Sequence, residues 1–165
     1  MTPPRLYGIL DCAADPALHE HAARLEPEHA ACLYMGKIDP LVRAVSPYLV
    51  ELAPDDPLSR RWRTEGWGKS WGLLISSRAD LATVRRRLRH FTMARLPSGE
   101  GPVLFRFWDP RVFRVYLPLV EPEAIGEWFK DIDLYVAETE DGAGSLRFSL
   151  ANGALQVERG VRPAG

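Results

Sequence analysis

Short apolar runs alternate with polar, helix-starting segments along the first third of the chain. Apolar runs typical of strands lie at residues 5–10, 29–35 and 47–52. An Asp-Pro pair follows each run, at residues 15–16, 39–40 and 56–57. Asp is a preferred N-cap, and Pro is favoured in the first helical turn. The pattern therefore predicts three units in which a strand is followed by a helix.

The run WGLLI at residues 71–75 is almost unbroken in its apolar character. It starts after a Gly-rich turn and ends at Ser76 and Ser77, where a helical pattern begins. A short apolar run with these flanks is typical of a strand that is covered on both faces. We therefore expect residues 71–75 to form a central strand of a sheet.

A helix is predicted directly after this strand. Ser77 is its expected N-cap, and one face carries the apolar residues Leu81, Val84, Leu88 and Phe91. Residues 92–96 and 103–108 flank the turn-rich segment PSGEG, which predicts an antiparallel pair of strands. Another Asp-Pro pair at residues 109–110 then begins a helix, and Pro122 begins the next.

The C-terminal segment has the sequence pattern of a β-hairpin. Strands are predicted at residues 134–136 and 146–150, and Asn152-Gly153 is a strong hairpin signal before residues 155–157. A length of 165 residues fits one domain. We therefore predict a single α/β domain over residues 1–165, with a mixed central sheet flanked by helices. The hairpin-like segment 131–159 forms its small β-rich C-terminal edge.

Charge is unevenly distributed although the net charge is only −1. Residues 59–114 hold 13 of the 21 Lys and Arg residues but 4 of the 22 Asp and Glu residues. One interpretation is an oriented surface that attracts an acidic partner. The other is that acidic and basic segments lie side by side and neutralise each other.

The segment Gly68-Lys69-Ser70 resembles part of a phosphate-binding loop but lacks its context. Such a loop needs a glycine where Arg63 stands, and it must open a helix, whereas this segment precedes a predicted strand. His19 and His21 are two residues apart, which on a helix is the wrong spacing for a shared metal. We therefore predict no catalytic residue, no cofactor and no metal, with an enzyme of unrecognised type as an alternative.

Two cysteines, Cys12 and Cys32, are too few for a disulfide framework. Each stands beside apolar residues, which favours buried free thiols in a reducing cytoplasm. No segment approaches the roughly 18 apolar residues of a membrane span. The sequence thus predicts a cytoplasmic protein without a membrane partner.

The segment FRFWDPR at residues 105–111 supports two interpretations. In an extended strand, Arg106 and Trp108 share one side, so the guanidinium needs a carboxylate such as Asp109. In the first interpretation Asp109 caps a helix and Arg106 is a buried brace. In the second, Arg106, Trp108 and Arg111 form part of a docking surface, because Arg and Trp are favoured interface anchors.

Three stretches together resemble a known family: LYGILDCAADPALH, SPYLVEL followed by GWGKSWGLLISSRADLATVRRRLRHF, and VLFRFWDPRVFRVYLP. In this order they are similar to the Tap/Tec adaptor-chaperones of bacterial type VI secretion systems. The resemblance covers residues 6–129. It implies a cytoplasmic, non-enzymatic protein that binds a toxic effector protein and helps load it onto the VgrG spike protein.

The hallmark segments of this resemblance supply the predicted partner-binding residues Trp67, Trp71, Arg106, Trp108, Asp109 and Arg111. The competing hypothesis is a nucleic-acid-binding module that uses the helix face Arg85, Arg86, Arg87 and Arg89. The acidic isoelectric point and the absence of a base-stacking or groove-reading motif count against nucleic acid. The resemblance therefore carries the first hypothesis, in which the partners are the effector and the spike protein and nucleic acid is not one.

Overall fold

The structure is a computed structural model that describes residues 1–164. The strands within this range are β1 Arg5–Asp11, β2 Ala30–Cys32, β3 Pro47–Leu52, β4 Gly72–Ser77, β5 Met93–Ala94, β6 Val103–Leu104, β7 Leu134–Glu138, β8 Gly144–Ala151 and β9 Ala154–Val161. The α-helices are α1 Pro16–Ala23, α2 Pro40–Ala44, α3 Pro57–Arg61, α4 Leu81–Arg89, α5 Pro110–Tyr116 and α6 Pro122–Trp128. A π-helical turn, Trp62–Gly66, extends α3, and a 3-10 turn, Leu117–Leu119, follows α5.

Seven strands form one sheet in the order β2-β3-β1-β4-β7-β8-β9, and β5 pairs separately with β6. The single α/β domain is confirmed, and β4 is its central strand as expected. The strand pairing corrects the expected mixed sheet, because every pair between described strands is antiparallel. The strands β1 and β2 do run parallel, but β3 lies between them. A strand-helix-strand unit therefore forms here without a parallel pair.

The four Asp-Pro signals all begin helices as predicted. In each case the Asp carboxylate accepts a hydrogen bond from the backbone N–H two residues later, with partners Ala17, Leu41, Leu58 and Arg111. The expected cap of α4 is wrong. Asp80 caps that helix through the Thr83 N–H, while Ser77 remains in β4 opposite Arg5. Ser77 pairs within the sheet, so it cannot begin the helix.

Hydrophobic clusters cover both faces of the sheet. One cluster joins strand residues such as Ile75 and Tyr135 to Val84, Phe113 and Trp128 of helices α4, α5 and α6. The other joins strand residues such as Leu10 and Val50 to residues of α1 and α3 and to their extension, namely Leu18, Leu58 and Trp62. Burial on both faces explains the unbroken apolar run of β4.

The expected strand at residues 103–108 is shorter than its sequence pattern indicates. Strand β6 ends at Leu104, and the chain then turns into α5. Phe107 and Trp108 are neighbours in sequence, and both are buried in the same cluster. Strand alternation would place them on opposite sides. The predicted sharing of sides along FRFWDPR is therefore wrong, because the segment is a turn that presents both rings to one core.

The β-rich C-terminal edge is confirmed. Strands β7, β8 and β9 form consecutive antiparallel pairs. Asn152 and Gly153 join β8 to β9 with φ angles of 51° and 77°. Two consecutive residues in the left-handed region define the tight turn that Asn-Gly favours. Strands β7, β8 and β9 therefore extend the seven-stranded sheet on one side of β4.

Gly66 provides a test of the packing around the Gly-rich loop. A Cβ on Gly66 would overlap the ring of buried Trp71, so Gly66→Ala should lower the free energy of unfolding by about 1–3 kcal/mol. Gly126→Ala is the matched control. Gly126 is exposed in α6 with open space at its Cβ, and alanine there should stabilise by up to about 1 kcal/mol. Urea denaturation measures both values, and equal midpoints for Gly66→Ala and wild type would contradict the packing.

Candidate partner-binding site

The loop Gly68-Lys69-Ser70 binds an anion that belongs to the chain itself. The buried carboxylate of Glu138, at the end of β7, accepts hydrogen bonds from the N–H groups of Gly68 at 2.7 Å and Ser70 at 2.9 Å. Gly68 and Ser70 have φ angles of 88° and 57°. Successive amides in such a turn form an anion-binding concavity. In this loop the bound anion is the carboxylate of Glu138.

A second contact holds the same loop against the C-terminal hairpin. The loop between β7 and β8 approaches so closely that a Cβ on Gly142 would lie 2.9 Å from the Cα of Gly68. The Trp67 indole N–H donates to the carbonyl of Gly144 at 3.0 Å. The Gly-rich loop thus ties the central strand to the β-rich edge of the domain.

Trp67 and Trp71 belong to the hydrophobic cluster beneath α1 and α3. Both side chains are buried. The guanidinium of Arg61 lies 5.2 Å from the centroid of the Trp71 ring, at cation–π distance. In this arrangement the two indoles contribute to the core, and their predicted role in partner binding stays a prediction.

Arg106 pairs with a carboxylate other than the expected one. Its Nη2 atom lies 2.6 Å from Oδ2 of Asp11, at the end of β1. The side chain of Asp11 is only 3% exposed, whereas that of Arg106 is 45% exposed. The expectation of a buried Arg106 is therefore wrong. The buried member of the pair is the carboxylate, and the guanidinium covers it from the solvent side.

The carboxylate of Asp109 makes its hydrogen bonds within the helix that it caps. Its carboxylate accepts the Arg111 N–H, and it forms a bidentate pair with the Arg111 guanidinium at 3.0 and 2.7 Å. Burial raises the pKa of Asp109, but the hydrogen bonds and charge of Arg111, together with the charge of Arg106, outweigh it. The net pKa of Asp109 lies below its ordinary value. Arg111 itself is 64% exposed.

The three buried carboxylates lie at one end of the sheet. Asp11 ends β1, Glu138 ends β7, and both strands run antiparallel to β4, which begins beside them at Gly72. The Asp11 N–H donates to the Trp71 carbonyl at 2.7 Å. The exposed guanidiniums of Arg106 and Arg111 stand over this end. We call these two residues the arginine rim.

The arginine rim has donors that its buried partners do not use. Arg106 gives Asp11 one hydrogen bond through Nη2, and Arg111 uses Nε and Nη2 on Asp109. A guanidinium carries five N–H donors in a planar fork. The remaining donors face solvent and can bind carboxylates of another molecule. The buried carboxylates, by contrast, are already hydrogen-bonded.

Trp108 lies on the opposite side of the sheet from Trp67 and Trp71. It is buried, and its ring makes edge contacts with Phe107 and Tyr34 at centroid distances of 5.4 and 6.0 Å. Within the described residues its buried indole nitrogen has no hydrogen-bond partner. The structure therefore does not bring the six predicted residues onto one surface. Only Arg106 and Arg111 face solvent.

Two residues of this region were not identified from the sequence. Asp11 accepts a hydrogen bond from Arg106, 95 positions away, and Glu138 accepts one from Gly68, 70 positions away. For Asp11 a signal existed, because it is a polar residue directly after an apolar strand. Glu138 stands in an acidic stretch with Glu140 and Asp141, which makes it indistinguishable from a solvated surface residue.

The arginine face of α4 is partly occupied by contacts within the fold. Arg85 donates through Nε to the Cys32 carbonyl at 2.7 Å, and Arg87 pairs with Asp131 at 2.7 Å. Arg86 is exposed, and Arg89 is half-buried. Two of the four arginines in the nucleic-acid hypothesis therefore have structural partners.

The remaining candidate chemistry is limited in the part of the chain that the structure describes. Residues 1–164 contain no cluster of three His, Cys, Asp or Glu side chains that could hold a metal ion. Cys12 and Cys32 are buried free thiols, as predicted. Burial raises the pKa of Cys12 to about 12, which keeps it protonated and unreactive. No helix in the same range has the length and apolar character needed to cross a membrane.

Glu138 provides a test of the loop. Glu138→Gln keeps the shape but replaces one acceptor oxygen with an N–H₂ group that faces backbone donors. The variant should lose about 1–3 kcal/mol of unfolding free energy, the typical cost of unsatisfied buried donors. Glu140→Gln, at an exposed neighbouring position, is the matched control and should change little. Equal stability of the two variants in urea denaturation would show that the carboxylate does not hold the loop.

Arg106 provides a second test. Arg106→Ala removes the cation that covers buried Asp11, and the unfolding free energy should fall by about 1–3 kcal/mol. In the background Asp11→Asn, the same change should cost distinctly less, because no buried charge remains to be covered. Thermal and urea denaturation of the four proteins measures the coupling between the two residues. Additive effects would contradict a direct Arg106–Asp11 interaction.

Comparison with known proteins places the sequence in a family. Comparison with curated proteins and with solved structures gave no match. The sequence model of the family described as "Domain of unknown function (DUF4123)" matches residues 6–127. This range agrees closely with the span of the resemblance, residues 6–129, and contains all three of its stretches. Because the match covers more than half of the 165 residues, the chain belongs to the DUF4123 family.

Proposed function

We propose that this protein is a non-enzymatic adaptor of a bacterial type VI secretion system, located in the cytoplasm. In this role it binds a toxic effector protein and helps load it onto a VgrG spike protein. The observation that carries the proposal is the family match over residues 6–127. That range contains the Trp-Gly run, the arginine-rich helix and the FRFWDPR segment in the order typical of the Tap/Tec adaptors.

The position of the hallmark segments supports this function. The Trp-Gly run and FRFWDPR lie far apart in sequence, yet both contribute to the end of the sheet at which Asp11 and Glu138 are buried. The two segments therefore meet at one end of the sheet, with the arginine rim at its surface. Arg is enriched at protein interfaces, where its planar donors recognise carboxylates. A partner protein with acidic side chains fits such a surface.

The chemistry of the same region supports binding over catalysis. A general base needs a carboxylate or imidazole within reach of a substrate. Here the carboxylates of Asp11, Asp109 and Glu138 are buried, and each accepts hydrogen bonds from guanidinium or backbone donors. Their acceptor capacity is used to hold the fold. The arginines that face solvent supply positive charge and hydrogen-bond donors, which suit recognition.

Affinity purification tests this function. The tagged protein, produced in cells that carry the neighbouring secretion genes, should recover a VgrG protein and a toxin, and the complex should persist after nuclease treatment. Arg111→Ala should reduce recovery if the arginine rim contacts a partner. Arg78→Ala is the matched control, because Arg78 is similarly exposed and pairs with Asp133 near the other end of β4.

Two results would contradict the proposal. Recovery of neither a spike protein nor a toxin would remove the adaptor function. Recovery that depends entirely on nucleic acid, together with salt-sensitive binding in a gel-shift assay, would favour the nucleic-acid module on α4. Equal recovery by Arg111→Ala and wild type would leave the adaptor function intact but would exclude Arg111 from the contact.

A further inference from the structure

Two surface depressions meet at Tyr34, beside the edge strand β2. The first has a volume of about 450 Å³, and its lining includes Tyr34, Met35, Met93 and Leu104. The second has a volume of about 410 Å³, and its lining includes Tyr34 and Tyr48. We call the two together the Tyr34 groove. It lies on the surface of the region that matches the family.

Three large apolar residues around the first depression of the Tyr34 groove are exposed. Met35 is 74% exposed, and Met93 and Leu104 are each 50% exposed. Isolated apolar residues on a surface are common, but a contiguous group around a depression marks an interaction site. Methionine is also the side chain that adapts most readily to different apolar partners. The first depression can therefore accept an apolar side chain of another molecule.

The charge around the Tyr34 groove has one sign. Arg89 lines the first depression, and Arg43 and Arg85 line the second. No Asp or Glu of the described residues lines either of them. The same range contains no ion pair between a carboxylate and any of these three arginines. A depression near the opposite end of β1 differs, because Glu51 and Asp56 line it.

We propose that the Tyr34 groove binds an extended acidic segment of a partner protein, with one apolar side chain seated between Met35 and Met93 and with carboxylates placed against Arg43, Arg85 and Arg89. This inference rests on the adaptor function, and it assigns a chemical class to the segment that the adaptor recognises. The positive charge of the arginines that line the groove favours a segment with negative charge. The exposed side chains of Met35, Met93 and Leu104 favour an apolar side chain in the segment, because they can bury it.

The two depressions share Tyr34 in their lining, so an extended segment that crosses this ring reaches both. Arg85 already donates through Nε to the Cys32 carbonyl at the β2 edge, which holds its guanidinium beside the groove. The remaining nitrogen atoms of that guanidinium are available to a carboxylate. The site is thus partly organised before the partner arrives.

The methionines provide a direct test. The chain has three methionines, Met1, Met35 and Met93, of which the last two line the groove. With ¹³C-methyl methionine labelling, a short blocked peptide of alternating Asp and Glu around a single Leu should shift the Met35 and Met93 resonances saturably. The Met1 resonance should not move. A peptide with Lys in place of every acidic residue should bind about tenfold more weakly or worse.

A variant pair locates the site. Leu104→Asp places a negative charge in the groove at an exposed position and should weaken peptide binding about tenfold or more. Leu119→Asp is the matched control, because Leu119 is exposed outside the groove, and its affinity should equal that of wild type. Circular dichroism melting checks that both variants fold. If Leu104→Asp does not fold, Met93→Ser replaces it with the same expected loss.

The following results would overturn the proposal. They are unchanged Met35 and Met93 resonances, equal binding of the acidic and basic peptides, or equal affinity of Leu104→Asp and Leu119→Asp. A single-stranded oligonucleotide that shifts the same resonances more strongly than the peptide would also overturn it. Shifts that depend on protein concentration alone would identify a second copy of the chain as the occupant. If Leu104→Asp still recovers spike protein and toxin from cells as wild type does, the groove proposal fails while the adaptor function stands.

Discussion

The buried carboxylate of Glu138 joins the Gly-rich loop before β4 to the end of β7. Its acceptors bind the amides of Gly68 and Ser70, which sets the path of the chain into β4. Because β4 pairs with both β1 and β7, this loop leads directly into the centre of the sheet. A buried carboxylate is stable only when its acceptors are satisfied. The loop conformation and the burial of Glu138 therefore depend on each other.

Asp11 and Asp109 repeat this arrangement on a smaller scale. Asp11 is the last residue of β1 and forms an ion pair with Arg106. Asp109 caps α5 and forms an ion pair with Arg111. In each pair the carboxylate is buried and the guanidinium is exposed to solvent. Residues 59–114 carry many arginines, and two of them neutralise carboxylates that the fold conceals. The surface at this end of the sheet is consequently more basic than the composition alone indicates.

Local features of the fold were predictable from the sequence, whereas long-range features were not. The helix starts at Asp15 and Asp109 and the turn at Asn152 depend on neighbouring residues, so their patterns sufficed. The antiparallel sheet depends on β3 inserting between β1 and β2, which no local pattern records. The partner of Arg106 is 95 positions away, and a nearer carboxylate, Asp109, was the more obvious choice. In the candidate site, the residue types were recognised from the sequence but their pairing and exposure were not.

Tyr34 connects the arginine rim to the groove beside β2. Its ring packs edge-on against Trp108, within the hallmark segment that also supplies Arg106. Burial raises the pKa of Tyr34 to about 12, while the charge of Arg106 opposes the rise. The hydroxyl is protonated at physiological pH, as a phenol is even at its ordinary pKa of about 10, and adds no negative charge. Tyr34 thus lies near Arg106 of the arginine rim and lines the groove together with Arg43, Arg85 and Arg89. The proposed acidic segment would place its carboxylates against these arginines, because the carboxylates of Asp11, Asp109 and Glu138 already accept hydrogen bonds within the fold.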